Sequence, residues 1–170
     1  ASVGRLQVQS PQQGEVTGAI ASLQRGYRCN RLTTTSRREH GKSVGRAGNG
    51  TAVWKTGESG DPYVWCRASI GRESNNVAEY EGLKEGMRRA TRAGDPSVVF
   101  EVDSYVVAKH MAHRNAWACK TKALKEHYKT CRALGQELTE KGVEWEVRHI
   151  YREFNQTADG LANAALDDEN

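Results

Sequence analysis

The chain has 170 residues, with 25 Lys or Arg against 21 Asp or Glu, a formal charge of +4 and 37% hydrophobic content. That is enough material to bury one core and too little for two independent ones, and no apolar run approaches the roughly 20 residues a membrane helix needs. No charged segment followed by an apolar one opens the chain, so no secretory leader is read and no membrane partner is expected.

The start at Ala1 is expected to mark a fragment or a processed piece of a larger polyprotein. Cys29, Cys66, Cys119 and Cys131 form neither a CxxC pair nor a recognisable metal spacing. Cys131 falls at an apolar helical position, where a buried reduced thiol is the ordinary outcome. A reducing, intracellular setting (cytoplasm or nucleus) and a monomeric state are the expectations.

Residues 1–44 are rich in Gly, Gln, Ser, Thr and Arg with weak periodicity; a first strand is expected within Val16–Leu23 or Tyr27–Thr35. Between Arg25 and Arg46 lie Arg28, Arg31, Arg37, Arg38 and Lys42, with Glu39 the only acid. Such a segment reads either as a phosphate-binding arm or as a solvated basic stretch. From residue 45 to 167 the pattern is that of one domain. Gly50–Lys55 and Tyr63–Ile70 read as strands joined by a turn-rich Thr56–Pro62. Ser74-Asn75-Asn76 is a helix start, followed by Val77, Tyr80, Leu83, Met87 and Ala90 at helical spacing and a stop at Gly94-Asp95-Pro96.

Val98–Asp103 alternates as a strand, and a short helix is predicted from Ser104 to about His113. A longer helix is predicted over Ala118–Lys141, with Trp117 at its start and Leu124, Tyr128, Cys131, Leu134 and Leu138 as its buried stripe. Lys122, Lys125, Lys129 and Arg132 form a basic stripe on it, read as a phosphate track or as a solvated face. Glu144–Ile150 is a strand. Asn155–Leu166 is a last helix with Ala158, Leu161, Ala162 and Ala165 inward. Strands, helix, strand, helices, strand, helix imply an α/β fold: a mixed sheet covered by helices.

Three acids sit where a site can form. Glu79 lies in the first turn of a helix, Asp103 ends a strand on the edge where open α/β sheets place ligands, and Asp159 lies in the first turn of the last helix. Each has a structural alternative. Glu79 stands at capping-box spacing from Asn76, Asp103 can cap the helix at Ser104, and Asp159 suits a helix N-terminus.

Asn75-Asn76-Val77-Ala78-Glu79-Tyr80-Glu81-Gly82-Leu83, then Val99-Phe100-Glu101-Val102-Asp103-Ser104, then the run from His149 through Arg152-Glu153 and Asn155 to Ala158-Asp159-Gly160-Leu161-Ala162 resemble the three signatures of the type I ribonuclease H family, in order and on the right elements. Gly45-Arg46-Ala47-Gly48-Asn49-Gly50 resembles the Gly-rich entry to that family's second strand. The resemblance runs from about Gly45 to Asp167. It implies a ribonuclease H-like fold, a five-stranded mixed sheet with three antiparallel strands followed by two parallel ones. It also implies an endonuclease that hydrolyses the RNA strand of an RNA–DNA hybrid with two Mg²⁺ (or Mn²⁺) ions held by four carboxylates. Glu79, Asp103 and Asp159 would be three of those ligands and His149 the histidine of proton transfer or product release. Asn75, Asn76, Ser104 and Asn155 would face the substrate, Asn75 and Asn76 in the minor groove where 2′-hydroxyls mark RNA. The stretch from Asp103 to Asp159 is too short for a separate basic protrusion, so the resemblance is to the compact branch that includes retroelement-derived domains.

One departure stands out. The family's first-strand Asp points here to a position near Arg37, and no Asp occurs before Asp61. Glu39 is the nearest acid that can replace it and Asn30 the nearest neutral isostere. The competing expectation is therefore a degenerate module that binds hybrid or duplex, or a protein partner, without cutting.

Overall fold

A computed structural model of the protein describes residues 7–9, 29–38, 45–55, 64–94 and 96–167. Among the described residues six strands form one sheet: β1 (Gln7–Gln9), β2 (Cys29–Arg38), β3 (Gly45–Lys55), β4 (Val64–Glu73), β5 (Ser97–Val102) and β6 (Glu144–His149), in the order β1-β4-β3-β2-β5-β6. The extra strand relative to the expected five is β1, three residues at the edge paired antiparallel to β4. β2 pairs antiparallel with β3 and β3 antiparallel with β4, whereas β5 is parallel to both β2 and β6. Parallel neighbours need long crossovers. Here α1 (Asn75–Ala93) precedes β5, and α2 (Tyr105–Met111) and α3 (Lys122–Glu140) precede β6; α4 (Gln156–Asp167) ends the fold. Of the two candidate first strands, Tyr27–Thr35 overlaps β2, while Val16–Leu23 and the Thr56–Pro62 turn lie outside the described residues.

The helices sit on opposite faces of the sheet, and two adjacent residues of β3 prove it. Successive strand residues point to opposite faces. A Cβ on Gly50 would meet Ala158 O at 2.3 Å and Leu161 Cβ at 2.7 Å, both on α4. Thr51 instead donates its hydroxyl to Gly82 O of α1 at 3.4 Å. The core fills the α1 side: Tyr80, Leu83 and Met87 of α1, Phe100 and Val102 of β5, Val107 and Met111 of α2, and Cys131 and Leu138 of α3 are fully buried together. Each such side chain contributes about 1.5–3 kcal/mol by leaving water. Tyr128 and Leu134 pack against this core while only partly buried.

Helix ends follow local chemistry. Ser74 Oγ accepts the Val77 amide at 3.3 Å to cap α1, and Gly94, with φ +70°, closes it by donating to Ala90 O at 3.3 Å. Asn76 is therefore inside α1, and the capping-box reading of Glu79 is wrong. The cap of α2 is Ser104 itself, whose Oγ accepts from Val107 N at 3.2 Å, so Asp103 does not cap it. That helix stops at Met111, short of His113. α3 begins at Lys122 rather than Ala118, because residues 112–121 take an irregular path pinned by Trp117 N donating to Lys109 O at 2.9 Å. Trp117 consequently precedes the helix instead of starting it.

Candidate functional site

Three chain segments converge at the C-terminal end of β5. Glu79, in α1, has no exposed surface, and its Oε1 accepts the backbone N–H of Asp103 at 3.1 Å. A fully buried carboxylate is costly unless hydrogen-bonded, and this bond ties α1 to the strand end. Asp103 follows the last residue of β5. The next segment arrives because β6 lies beside β5 with Val102 opposite His149, and Ile150 N donates to Val102 O at 2.9 Å.

The chain then makes a 3₁₀ turn over Arg152–Phe154 and enters α4 through Asn155, whose carbonyl accepts from Asp159 N at 3.0 Å. Asn155 is buried, with 2% exposure. Arg152 Nε donates to Asp103 Oδ2 at 3.1 Å and stands 3.8 Å from Asp159 Oδ1. One guanidinium thus links the two aspartates, whose side chains are only 6% and 18% exposed. Asn163, one turn along α4, donates to Asp159 Oδ2 at 3.4 Å.

The residues predicted to face a substrate frame this point. Ser104 Oγ donates to Asn76 Oδ1 at 3.0 Å, joining the start of α1 to the end of β5. Asn75 is half-buried at the head of the same helix. His149 packs its ring edge-on against Tyr105 and Tyr151, each at 5.4 Å between centroids. Tyr105 in turn meets Trp117 edge-on at 5.5 Å, with Lys109 over its ring at 5.3 Å. Trp117, Tyr105, His149 and Tyr151 form a row of rings; Tyr151 is 66% exposed and Trp117 48%. Sequence reasoning gave no role to Tyr105 or Tyr151, since an isolated Tyr carries no period or spacing, and it quoted Arg152 within the third signature without a role; adjacency to His149 and to Asp103-Ser104 was the available signal.

The basic stripe of α3 divides. Lys122, Lys125 and Lys129 are exposed, Lys129 paired with Glu126 at 2.8 Å. Arg132 instead donates to His110 O at 3.2 Å and Ala112 O at 3.4 Å, holding the segment after α2.

On the other side of Asp103 stands β2. Its parallel register with β5 runs from Cys29 opposite Ser97 to Thr34 opposite Val102, the residue before Asp103. No acid occurs in Cys29–Arg38, and Arg37 stands opposite Gly48 on β3. Glu39 lies outside the described residues. Among the described residues no group of three His, Cys, Asp or Glu is arranged to hold a metal ion, and no helix is long and apolar enough to cross a membrane.

Similarity to known proteins agrees with this geometry. Residues 39–165 match the family described as Reverse transcriptase-like. The bifunctional protein Rv2228c of Mycobacterium tuberculosis is 35% identical over 123 residues, covering 72% of this chain and 32% of the relative, so the chain spans about a third of that protein's length. Ribonuclease HI of Halobacterium salinarum is 32% identical over 130 residues, covering 75% of this chain and 62% of the relative. Among solved structures, the N-terminal RNase H domain of Rv2228c superposes with a TM-score of 0.71 at 28% identity, covering 83% of this chain and 95% of that one. LC11-RNase H1, solved with an RNA/DNA hybrid, gives 0.68 at 28% identity, covering 82% and 98%. With the fold, the motif order and the family match in agreement, the chain belongs to the ribonuclease H family.

Proposed function

We propose that this chain is a ribonuclease H-type endonuclease that hydrolyses the RNA strand of RNA–DNA hybrids with the help of Mg²⁺ or Mn²⁺. The observation that carries the reading is the convergence of Glu79, Asp103 and Asp159 from α1, β5 and α4 at one sheet end, linked through the Asp103 amide and Arg152. Support comes from LC11-RNase H1, a structural relative solved with an RNA/DNA hybrid. The donor set fits a divalent ion in kind, since hard carboxylate oxygens suit Mg²⁺. It falls short in arrangement and in number: among the described residues the three are not grouped to hold a metal ion, and β2, which pairs with β5 as far as Val102, carries no acid. Glu79, Asp103 and Asp159 would hold the ion, which when bound supplies an activated water and offsets phosphate charge.

The remaining roles belong to this chain's own groups. Asn75, Asn76, Ser104 and Asn155 orient the hybrid, and the 2′-hydroxyl is the group that tells RNA from DNA there. His149 sits at the end of β6 alongside Val102, one residue before Asp103, and its part is proton transfer or product release. The exposed rings and Lys109 offer stacking surface and positive charge.

Cleavage of a labelled hybrid with Mg²⁺ and with Mn²⁺, alongside Asp103→Asn and Glu39→Gln, tests the reading. Metal-dependent cutting by wild type that Asp103→Asn abolishes is the expected result. Equal cutting by both would mean contamination and sink it. Loss in Glu39→Gln as well would put Glu39 in the place of the absent strand acid. The second reading, a module that binds hybrid without cutting, is favoured by the lack of any acid in β2, the strand paired with β5. Binding that persists in chelator with no cleavage would establish it.

A further inference from the structure

The row of rings that runs Trp117, Tyr105, His149, Tyr151 has centroids 5.5, 5.4 and 5.4 Å apart in turn. Their planes cross at 82°, 88° and 77°, so neighbours meet edge to face and none is stacked on the next. Tyr105 and Trp117 are about half exposed, Tyr151 more so, and Phe154 in the adjoining 3₁₀ turn is 72% exposed. Large rings left this wet forgo the burial that ordinarily draws them inside a fold. They are nevertheless anchored. The Trp117 amide donates to Lys109 O and the Phe154 amide to Tyr151 O, each at 2.9 Å. Rings held in place before a ligand arrives lose little rotamer freedom when it binds.

Charge and shape select the occupant. Lys109 Nζ lies 5.3 Å from the centre of the Tyr105 ring. Arg114 and Lys120 are exposed within three residues of Trp117, and the chain has no acid from Ser104 to Lys125. Against these stands Glu153, the one acid of the 3₁₀ turn. Rings interleaved with cations suit a strand whose phosphates meet the cations while its bases meet the rings. A paired duplex cannot use the rings in this way, because its base faces already lie against one another. Unpaired bases present those faces. At its far end the row reaches Tyr151, next to Arg152, whose Nε donates to Asp103 Oδ2 at 3.1 Å. The row therefore leads away from the carboxylate centre.

We infer that the ring row is a binding site for single-stranded nucleic acid, with room for about two or three unpaired bases, and that the hybrid this chain favours carries an unpaired strand leaving it beside the carboxylate centre. The preference among hybrids rests on the proposed nuclease reading; the single-strand site does not, since it needs no cleavage. Stacking is indifferent to the sugar, so RNA and DNA strands serve alike. Trp117 and Tyr151, at the two ends of the row, mark how far it extends.

The test is fluorescence anisotropy of the full chain at low salt in chelator. The labelled probes are oligothymidine, oligouridine, a blunt RNA–DNA hybrid, and that hybrid with an oligothymidine tail at the 5′ or the 3′ end of its DNA strand. Both oligomers should bind with similar affinity, and a tail at one end should tighten hybrid binding about tenfold, the scale of one or two stacked bases. Tyr151→Ala and Trp117→Ala should each bring the ratio of tailed to blunt affinity down toward one. Tyr151→Phe and Trp117→Phe should keep the ratio, which a general loss of structure would not allow. Oligomers that do not bind, tails that add nothing at either end, or a ratio unmoved by both alanine changes would each overturn the inference. Hybrid cleavage is measured separately with Mg²⁺. A chain that prefers tailed hybrids yet cuts none refutes the nuclease and leaves the ring site standing. One that cuts blunt and tailed hybrids alike and binds neither oligomer does the reverse.

Discussion

Glu79 shows how one buried side chain carries opposed demands. Its carboxylate is fully enclosed yet accepts the Asp103 amide at 3.1 Å. Glu79→Gln keeps an acceptor of the same shape and removes the charge, so thermal melting should stay at or above the wild-type temperature. Hybrid cleavage should fall by about a hundredfold or more, the scale on which a metal centre responds to its carboxylates. Glu79→Ala differs in kind: it strands the Asp103 amide and should cost about 1–3 kcal/mol of stability. If Gln melts as low as Ala, the residue's role is structural.

A second buried polar pair sets a pH dependence. Tyr80 donates its hydroxyl to His110 Nδ1, or accepts from it, at 2.8 Å. Burial holds the His110 pKa below its ordinary 6.5 and raises that of Tyr80. The fold therefore favours neutral His110, and the unfolded chain takes up a proton first as pH falls. That contribution to stability is full above 6.5 and is lost on acidification through the lowered value. The melting temperature should drop from neutral to mildly acidic pH, and His110→Gln should flatten the drop. An unchanged slope would assign the acid sensitivity to other groups. Burial also pushes the Cys131 thiol up to about 12, so it stays protonated and inert.

Among elements, the contact of β3 with α4 is the least forgiving. Gly50 lies where a Cβ would come within 2.3 Å of Ala158 O and 2.8 Å of Ala162 N, both backbone atoms that cannot rotate away. Gly50→Ala must push α4 off the sheet, and overpacking of this kind costs about 1–3 kcal/mol or more. Because Asp159 rides on α4, cleavage should fall along with stability in denaturant melts. A melt like wild type would mean that α4 yields freely.

The same elements explain what the sequence could reveal. β5 was legible because Val98, Phe100 and Val102 alternate, and α1 because caps and an apolar stripe agree. β2 was not, since eight of its ten residues are Asn, Arg, Thr or Ser and its place comes from ladders to β3 and β5. The start of α3 was misjudged because Ala118 and Lys120 favour helix, while the Trp117 amide is committed to Lys109 O. At the site, Ser74, Asn75 and Asn76 are all good caps, and sequence alone could not say that Ser74 caps and Asn76 instead bonds Ser104. The three acids were legible from spacing within motifs; their link through Arg152 depended on a turn that no periodicity reports.

Over the whole molecule, charge is distributed more tellingly than its sum of +4 suggests. From Ser104 to Lys125 the chain carries Lys109, Arg114, Lys120, Lys122 and Lys125 and no acid at all. Arg114, Lys120, Lys122 and Lys125 are exposed, and Trp117 stands among them as one end of the ring row that finishes at Tyr151, next to Arg152. A basic, ring-lined segment leading to a carboxylate centre suits a phosphate backbone whose scissile bond lies at that centre. Each Lys that neutralises a phosphate adds close to one unit to the slope of log affinity against log salt. Changing Lys120 and Lys122 together to Gln should therefore lower that slope by about two when hybrid binding is measured in chelator. Cleavage at saturating hybrid should be nearly unaffected, because neither Lys touches the carboxylates. A slope equal to wild type would make both lysines plain solvated charge and move the phosphate track elsewhere on the surface.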